Sequence, residues 1–426
     1  MFKSQELKFL NNRGYLKQCT HSDQLDELFL KKKITFYIGF DCTAKSLHVG
    51  HLIPIMIARN LVKFGHKAII ILGTTTAKIG DPSGKNEQRK ILSHEDIEEN
   101  FQSISTIIQK FVTSDDSENQ PIFLKNDWLE GINLVEFLRT YGVHFSVNRM
   151  VNMETFAERL QNQKPLSFLE FSYSLFQAYD FLHLYEKHNC QLQIGGSDQW
   201  GNIISGIDLV QKIHHGDFVC GTTTNLLLNA SGEKMGKSVG GAIWLDEKML
   251  HPNDYWQYFR NVDDKDILKF FHLLTDLSDD EIIEIKQKID SDGSTLNDLK
   301  ILLATKITEI CHGFDEAKKI ESNEKLKFTK NIHSDDLKNI TPDFEIKFDE
   351  IVNLSILDLL KKITTDFSNS QLKTLISQNS IKINKTTISD SQFIFNADSL
   401  TQFNIQENIL IVEIGKKKKI IVKLIS

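Results

Sequence analysis

The chain is poor in cysteine, has no long apolar run and lacks internal repeats. Its 426 residues include five cysteines, which are scattered and never form a Cys-x-x-Cys pair. This pattern supports neither a disulfide framework nor a zinc site. No apolar stretch approaches the roughly 18 residues that a membrane span requires, and residues 1–6 lack the apolar core of a signal peptide. We therefore expect a cytoplasmic protein with reduced thiols and no membrane attachment.

The charge balance limits how the chain could contact nucleic acid. The net charge of −7 argues against a protein that coats nucleic acid without specificity. Residues 351–426, however, contain ten lysines and six acidic residues, a balance of +4 that leaves −11 for the rest. Any contact with RNA must therefore use local basic patches.

The first half of the chain alternates between strand-like and helical patterns. Apolar runs at 34–40, 67–73 and 192–194 alternate with amphipathic segments such as 52–64. This alternation predicts an α/β fold with a doubly wound parallel sheet, in a Rossmann-like domain over residues 1–245. Ligands of such sheets bind beyond the carboxyl ends of the strands, where Gly39, Gly73 and the pair Gly195 and Gly196 fall.

Four further segments differ from this alternating pattern, and the first of them lies inside the Rossmann-like domain. Residues 94–165 interrupt the alternation as a helical insertion with a polar loop at 113–120, and residues 246–330 are helical, with a capping box from Ser278 to Glu281. Residues 331–350 have little apolar periodicity, which predicts a linker. Residues 351–426 predict a small α+β domain with helices at 354–363 and 370–378, a strand at 380–383 and a hairpin of 409–414 with 420–424.

Two short motifs contain the residue types that bind phosphate. The sequence His48-Val49-Gly50-His51 lies between a strand-like run and a helix start, where backbone amides and the helix dipole attract anions. The sequence Lys234-Met235-Gly236-Lys237-Ser238 lies in a glycine-rich loop. Either motif alone is explained as well by polar histidines at a helix start or by a solvated turn. In this order and context, the two together predict a site that grips the phosphates of ATP.

These motifs resemble the HIGH and KMSKS signatures of class I aminoacyl-tRNA synthetases. Five further segments resemble the bacterial tyrosyl-tRNA synthetase family in the same order, at 37–41, 79–85, 171–173, 177–181 and 191–202. The resemblance implies L-tyrosine, ATP and tRNA(Tyr) as partners, and a homodimer formed through the insertion. It also implies that 246–330 lies on the anticodon side and that 351–426 is an S4-like RNA-binding domain. Magnesium would accompany ATP, with no dedicated protein metal site and no editing.

Amino-acid activation by this family needs charge stabilisation more than acid–base chemistry. The substrate carboxylate, already ionised at neutral pH, attacks the α-phosphate of ATP while pyrophosphate leaves, so the enzyme must position reactants and stabilise the leaving charge. The resemblance implies as catalytic residues His48, His51, Lys234, Lys237 and Thr43. It implies as ATP-binding residues Gly39, Asp41, His48, His51, Gly196, Asp198, Lys234, Met235, Lys237 and Ser238.

Recognition of tyrosine requires a buried partner for a phenol. Tyr37 and Asp180 would donate to and accept from the hydroxyl, so that phenylalanine leaves both unpaired, a form of rejection for which tyrosyl-tRNA synthetases are the known example. Taken singly, Tyr37 fits core packing and Asp180 fits a solvated helix face. The resemblance implies further tyrosine-binding residues at Asp81, Tyr173, Gln177, Gln193 and Gln199. It implies tRNA-binding residues at Lys373, Lys416, Lys417, Lys418 and Lys419, although these lysines could simply solubilise a turn.

Three other functions are compatible with parts of this pattern. A tryptophanyl enzyme has the same fold and both signatures, but the pair of Tyr37 and Asp180 disfavours it. A nucleotidyltransferase that acts without tRNA would not need the helical and RNA-binding-like regions. A non-catalytic RNA-binding protein would not need the intact histidines and lysines.

Overall fold

The computed structural model describes residues 2–81, 92–114, 116–238, 241–291, 295–328, 342–364, 367–396, 400–403, 405, 408–415 and 418–425. These residues fold as two compact units, 1–314 and 315–426.

The first unit is built on a six-stranded sheet. Its strands are β1 Gln18–Cys19, β2 Thr35–Asp41, β3 Lys67–Gly73, β4 Ile122–Lys125, β5 Cys190–Gly196 and β6 Cys220–Thr224. They lie in the order β1-β6-β5-β2-β3-β4, parallel except for β1, which runs antiparallel to β6. All residues of β3 after Lys67 are buried, as expected of a parallel strand that is covered on both faces. The predicted α/β class is confirmed.

The strand order creates a crevice at the carboxyl ends of the central strands. From β2 the chain moves outward to β3 and β4, and then returns to the opposite side of β2 as β5. Such a reversal opens a crevice at the carboxyl ends of the two strands that flank it. Strand β4 was not predicted, because it lies inside the segment interpreted as a helical insertion.

Helices cover both faces of the sheet and continue into a helical region. They are α1 Gln5–Asn12, α2 Ser22–Lys31, α3 Leu52–Lys63, α4 His94–Phe111, α5 Leu134–Thr140, α6 Val147–Met150, α7 Glu154–Gln161, α8 Phe168–His188, α9 Trp200–Ile213, α10 Pro252–Arg260, α11 Ile267–Leu274, α12 Asp279–Ser291 and α13 Leu296–His312. The predicted capping box before α12 is present, because the Ser278 amide donates to Glu281 and the Glu281 amide donates to Ser278 Oγ. No helix in the described part of the chain is both long and apolar enough to cross a bilayer.

The second unit contains a five-stranded sheet. Its strands are β9 Phe344–Lys347, β10 Ile381–Ile383, β11 Thr386–Ile388, β12 Ile409–Ile414 and β13 Lys418–Ile425, in the order β11-β10-β12-β13-β9. Its helices are α14 Phe314–Phe328, Phe348–Ile351, Ile356–Ile363 and Asn369–Ser377. The first unit also contains the short helical turn Val49–His51, in the first phosphate-binding motif, and the two-residue strands β7 Lys237–Ser238 and β8 Gly241–Ala242, of which β7 ends the second motif.

The interpretation of 331–350 as a linker is wrong for its second part. Strand β9 pairs in parallel with β13, and Ile346 lies in the core of the second unit. Its neighbours Glu345 and Lys347 are exposed. One buried apolar side chain is enough for a short edge strand, whose stability comes mainly from backbone hydrogen bonds to its neighbour. So weak a pattern cannot be distinguished from a linker in the sequence. Residues 331–341 lie outside the described residues.

Candidate active site

The floor of the crevice contains two buried polar groups that have no partner. Tyr37 on β2 lies opposite Gln193 on β5, and their side chains are 2% and 3% exposed. Within the described part of the chain, neither the Tyr37 hydroxyl nor Gln193 Oε1 has a hydrogen-bond partner. An unpaired buried polar group costs about 1–3 kcal/mol. The two groups therefore point to a polar ligand that satisfies them.

Asp180 lies on α8 and is held by two side chains. It is 4% exposed and accepts hydrogen bonds from Trp128 Nε1 at 2.8 Å and from Asn126 Nδ2 at 3.2 Å. Burial raises the pKa of Asp180 to about 7, against the lowering effect of these two donors. Burial, with the charge of Asp180 second, raises the pKa of Tyr37 well above 10. Tyr37 therefore keeps its proton and can donate it, and Asp180 accepts in its ionised form.

A second carboxylate lies near Tyr173. The Tyr173 hydroxyl donates to the two oxygens of Asp41 at 3.3 and 3.4 Å, and Thr76 Oγ1 donates to Asp41 Oδ1 at 2.9 Å. Tyr173, Gln177 and Asp180 lie at positions i, i+4 and i+7 of α8, which places them on one helix face. The tyrosine-pocket candidates on α8 thus face the same crevice.

Asp81 and Gln199 form another pair at this edge. Gln199 Nε2 donates to Asp81 Oδ2 at 2.7 Å. Burial, with the charge of Asp81 second, raises the pKa of Asp198. The charge of Lys234 lowers the same pKa, so the second phosphate-binding loop lies within electrostatic reach of Asp198.

The His48 motif forms a short helical turn, Val49–His51, directly before α3. His48 Nδ1 accepts a hydrogen bond from the Gly50 amide at 3.1 Å. That bond assigns the ring proton to Nε2, which makes the imidazole a donor suited to a phosphate oxygen. The ring centroids of His48 and His51 are 4.1 Å apart, so the two predicted imidazoles lie side by side.

The two phosphate-binding motifs pack directly against each other. A Cβ on Gly236 would lie 2.5 Å from His48 Nδ1, and a Cβ on Gly50 would lie 2.9 Å from the Met235 carbonyl. Gly236 also has a φ of +119°, a conformation that favours glycine. The amide of Val49 donates to the Ile243 carbonyl at 2.9 Å, just beyond the loop. The two motifs therefore lie in direct contact, through the His48 ring and the backbone of Met235 and Gly236.

The individual side chains of the second motif differ in environment. Lys234 is exposed and Met235 is buried. The backbone of Lys237 and Ser238 pairs with residues 241–242, whereas their side chains lie outside the described residues.

Two glycines of the site, Gly39 and Gly196, lie near the carboxyl ends of β2 and β5. A Cβ built on Gly39 would meet no atom within 4 Å, whereas one on Gly196 would lie 2.6 Å from Asp198 Oδ1. Gly39 thus leaves room for a ligand against β2, and Gly196 leaves room for the Asp198 carboxylate. Thr43 is half-buried, and its amide donates to the Asp41 carbonyl at 2.8 Å.

No group of three or more His, Cys, Asp or Glu side chains among the described residues is arranged to hold a metal ion. The groups around the phosphate-binding motifs are imidazoles and an ammonium group, which bind anions.

The lysines predicted to contact tRNA are only partly described. Lys373 is exposed on the helix Asn369–Ser377. Lys419 Nζ forms an ion pair with Glu413 at 3.2 Å, which offsets part of its positive charge. Lys416 and Lys417 lie outside the described residues, as does the side chain of Lys418.

Three side chains at the site were missed by the sequence analysis: Thr76, Asn126 and Trp128. Asn126 and Trp128 follow strand β4 directly. Polar residues at the carboxyl end of a parallel strand are the signal that could have identified them, but the strand itself was not recognised.

Comparisons of the sequence and of the fold with known proteins both match tRNA synthetases. Residues 30–328 match the family described as tRNA synthetases class I (W and Y). The chain is 45% identical over 420 residues to the tyrosine–tRNA ligase of Pelagibacter ubique, covering 98% of this chain and 99% of that one. It is 46% identical over 422 residues to that of a Wolbachia strain from Brugia malayi, covering 98% of each. A truncated mitochondrial tyrosyl-tRNA synthetase from Aspergillus nidulans superposes with a TM-score of 0.68 at 27% identity, over 76% of this chain and 95% of that one.

Proposed function

Because the chain belongs to the class I tRNA synthetases of the tryptophan and tyrosine group, and its full-length relatives are tyrosine–tRNA ligases, we infer that it is a tyrosine–tRNA ligase. It activates tyrosine with ATP to tyrosyl-adenylate and pyrophosphate. It then transfers the tyrosyl group to the terminal ribose of tRNA(Tyr), and AMP leaves.

The unpaired groups on the crevice floor are the observation that supports tyrosine as the amino acid. A phenol can donate its hydrogen to Asp180 and accept one from Tyr37, whose hydroxyl has no partner among the described residues. Phenylalanine can do neither, which leaves the Tyr37 hydroxyl buried and unpaired and gives Asp180 no donor beyond Trp128 and Asn126. Tryptophan offers only an N–H donor and cannot accept from Tyr37. The proposed pocket therefore selects tyrosine by hydrogen bonding, and we expect this selection to operate without editing.

The ammonium group of the substrate would lie at the other end of the pocket. Asp41, predicted from the sequence to bind ATP, accepts a hydrogen bond from Tyr173 there, and for this reason we propose that its carboxylate serves the ammonium end instead. Asp81 is bonded to Gln199. Carboxylates at this position offset the positive charge, while Gln177 lies between the two ends on α8. Gln193 would line the substrate from β5.

Activation itself would depend on the two phosphate-binding motifs. His48 and His51 donate to phosphate oxygens from one side, and Lys234 with Lys237 stabilises charge on the departing pyrophosphate from the other. Since the substrate carboxylate is already ionised, no general base is needed. Magnesium would arrive with ATP, because the surrounding groups are cationic and fit phosphate rather than a metal ion. The adenosine would lie along Gly39 and Gly196, with Asp198 at the ribose.

We also propose that the protein is a homodimer, formed through the insertion. Eight large apolar side chains between residues 134 and 169 are exposed, at 40–80% of their area in round terms: Leu134, Val135, Leu138, Val143, Val147, Leu160, Phe168 and Leu169. Apolar exposure concentrated in one segment marks an interface. In sedimentation, Val143→Glu should give monomers, while the control Ile283→Glu, at another exposed apolar position, should leave dimers intact. Monomeric wild-type protein would contradict the proposal.

The function is tested by amino-acid-dependent exchange of pyrophosphate into ATP. We expect exchange with tyrosine, and far less with phenylalanine or tryptophan, followed by charging of tRNA(Tyr). Asp180→Asn should lower the tyrosine signal selectively. Exchange that depends on tryptophan, or that distinguishes none of the three, would reject the assignment.

A further inference from the structure

A continuous set of hydrogen bonds joins the two ends of the tyrosine pocket. Asn126 Nδ2 donates to Asp180 Oδ2 at 3.2 Å and to Thr76 Oγ1 at 3.1 Å. Thr76 Oγ1 then donates to Asp41 Oδ1 at 2.9 Å, and Asp41 accepts from the Tyr173 hydroxyl. Asp180 belongs to the proposed phenol end and Asp41 to the proposed ammonium end.

The direction of every bond in this set is fixed by chemistry. The amide nitrogen of Asn126 can only donate, so Thr76 Oγ1 accepts from it, and the single hydrogen of Thr76 is left for Asp41 Oδ1. The orientation of the Asn126 amide is fixed as well, because its Oδ1 accepts from the Thr75 amide at 2.9 Å. The amide therefore cannot flip without breaking bonds at both ends.

The surroundings of Thr76 are built to hold this hydroxyl in place. Thr76 is 3% exposed and Asn126 is fully buried. A Cβ on Gly73 would lie 2.1 Å from Thr76 Oγ1 and 2.6 Å from Asp41 Oδ1, so only glycine at this position of β3 allows the contact. In so buried a place, losing one partner leaves its neighbours unpaired at full cost.

We propose that the Thr76 hydroxyl is a positioning group that couples phenol recognition at Asp180 to ammonium recognition at Asp41. The coupling acts through Asn126, and it makes the two ends of the pocket respond as one unit. A change at the ammonium end then lowers the preference for tyrosine over phenylalanine. This inference rests on the proposed roles of Asp180 and Asp41.

Thr76→Val tests the proposal because it removes the hydroxyl while keeping the branched shape. The measurement is kcat/KM in pyrophosphate exchange with tyrosine and with phenylalanine. Both amino acids have the ammonium group, and only tyrosine has the hydroxyl. If Thr76 served Asp41 alone, both values would fall equally. The proposed coupling predicts that the tyrosine/phenylalanine ratio of kcat/KM also narrows, by roughly two- to thirtyfold.

Two matched variants separate coupling from damage. Thr76→Ser keeps the hydroxyl and should retain the wild-type ratio. Thr75→Val removes a neighbouring hydroxyl that bonds to Glu130 instead, and it should also retain the ratio. The KM for ATP should be unchanged in all three. If Thr76→Val does not fold, Thr76→Ala removes the same hydroxyl without added crowding, and the same comparison decides.

The outcomes distinguish this inference from the proposed function. A wild-type protein without a preference for tyrosine would contradict the function itself. A wild-type preference that survives unchanged in Thr76→Val would overturn only the coupling. A narrowed ratio that Thr76→Ser does not restore would also overturn it, because the effect would then come from altered packing.

Discussion

Replacement of Trp128 by phenylalanine should weaken tyrosine recognition while an aromatic ring remains at this position. The Trp128 indole donates to Asp180 Oδ1 at 2.8 Å, and its ring stacks on His183 with centroids 4.3 Å apart and planes 13° from parallel. Phenylalanine keeps an aromatic ring at the stack and removes the N–H. Asn126 remains as the second donor to Asp180, so the carboxylate loses one of two bonds.

The size of the effect follows from the burial of Asp180. A hydrogen bond to a charged group contributes about 1.5–3 kcal/mol, which corresponds to a loss of roughly 10- to 150-fold in kcat/KM for tyrosine. Phenylalanine does not use this acceptor, and its kcat/KM should change little. The tyrosine/phenylalanine ratio should therefore fall by nearly the whole factor.

The same variant should shift the pH dependence of tyrosine activation. Burial raises the pKa of Asp180 to about 7, and the Trp128 hydrogen bond is the foremost influence that lowers it. Removing that bond raises the pKa further, so a smaller fraction of Asp180 is ionised at a given pH. Since kcat/KM reports ionisation of the free enzyme, its acidic limb should move to higher pH, and part of the lost activity should return on alkalinisation.

Pyrophosphate exchange across pH, with tyrosine and phenylalanine, measures both effects. Trp256→Phe is the matched control, because that buried indole donates to Thr305 in the helical region and has no contact with Asp180. A Trp128→Phe enzyme with the wild-type ratio and an unshifted acidic limb would refute the role assigned to this hydrogen bond.

Three further predictions concern the phosphate-binding loops and the second unit. Gly236→Ala should abolish most pyrophosphate exchange, because the added Cβ collides with His48. The control Gly241→Ala has a similar φ of +115° and open space around it, and its loss should be far smaller; equal exchange rates in the two variants would contradict the contact. Lys234→Ala should raise the single-turnover barrier by about 2–4 kcal/mol with little change in tyrosine affinity, and a defect confined to affinity would refute its role. Deletion of 342–426 should spare adenylate formation and severely reduce tRNA charging, whereas full charging by the truncated protein would show this region to be dispensable.

The parts of the fold that the sequence predicted are those with strong local patterns. The apolar strand β3, the helix after His51 and the capping box at Ser278 each depend on neighbours within a few residues. Strands β4 and β9 were missed because each is short and lies at an edge of its sheet, where a single buried side chain or partial burial suffices. Edge strands leave a weak period-two pattern in the sequence.

The site shows the same distinction between local and long-range information. Tyr37 and Asp180 could be named because each lies in a motif that resembles a known family. Asn126 and Trp128 act on Asp180 from more than fifty residues away, and only the fold brings these residues together. Hydrogen-bond networks of this kind depend on side-chain geometry, which no single-sequence pattern records.

The central claim is that Tyr37 is buried with an unpaired hydroxyl because the phenol of the substrate completes its bonding. The most direct test is Tyr37→Phe, measured by thermal unfolding without ligand and by pyrophosphate exchange with tyrosine and phenylalanine. Removing an unsatisfied hydroxyl should leave the ligand-free melting temperature equal or higher, while kcat/KM for tyrosine falls roughly 2- to 12-fold, the value of one neutral hydrogen bond, and that for phenylalanine does not fall. A lower melting temperature together with an unchanged tyrosine/phenylalanine ratio would contradict the account.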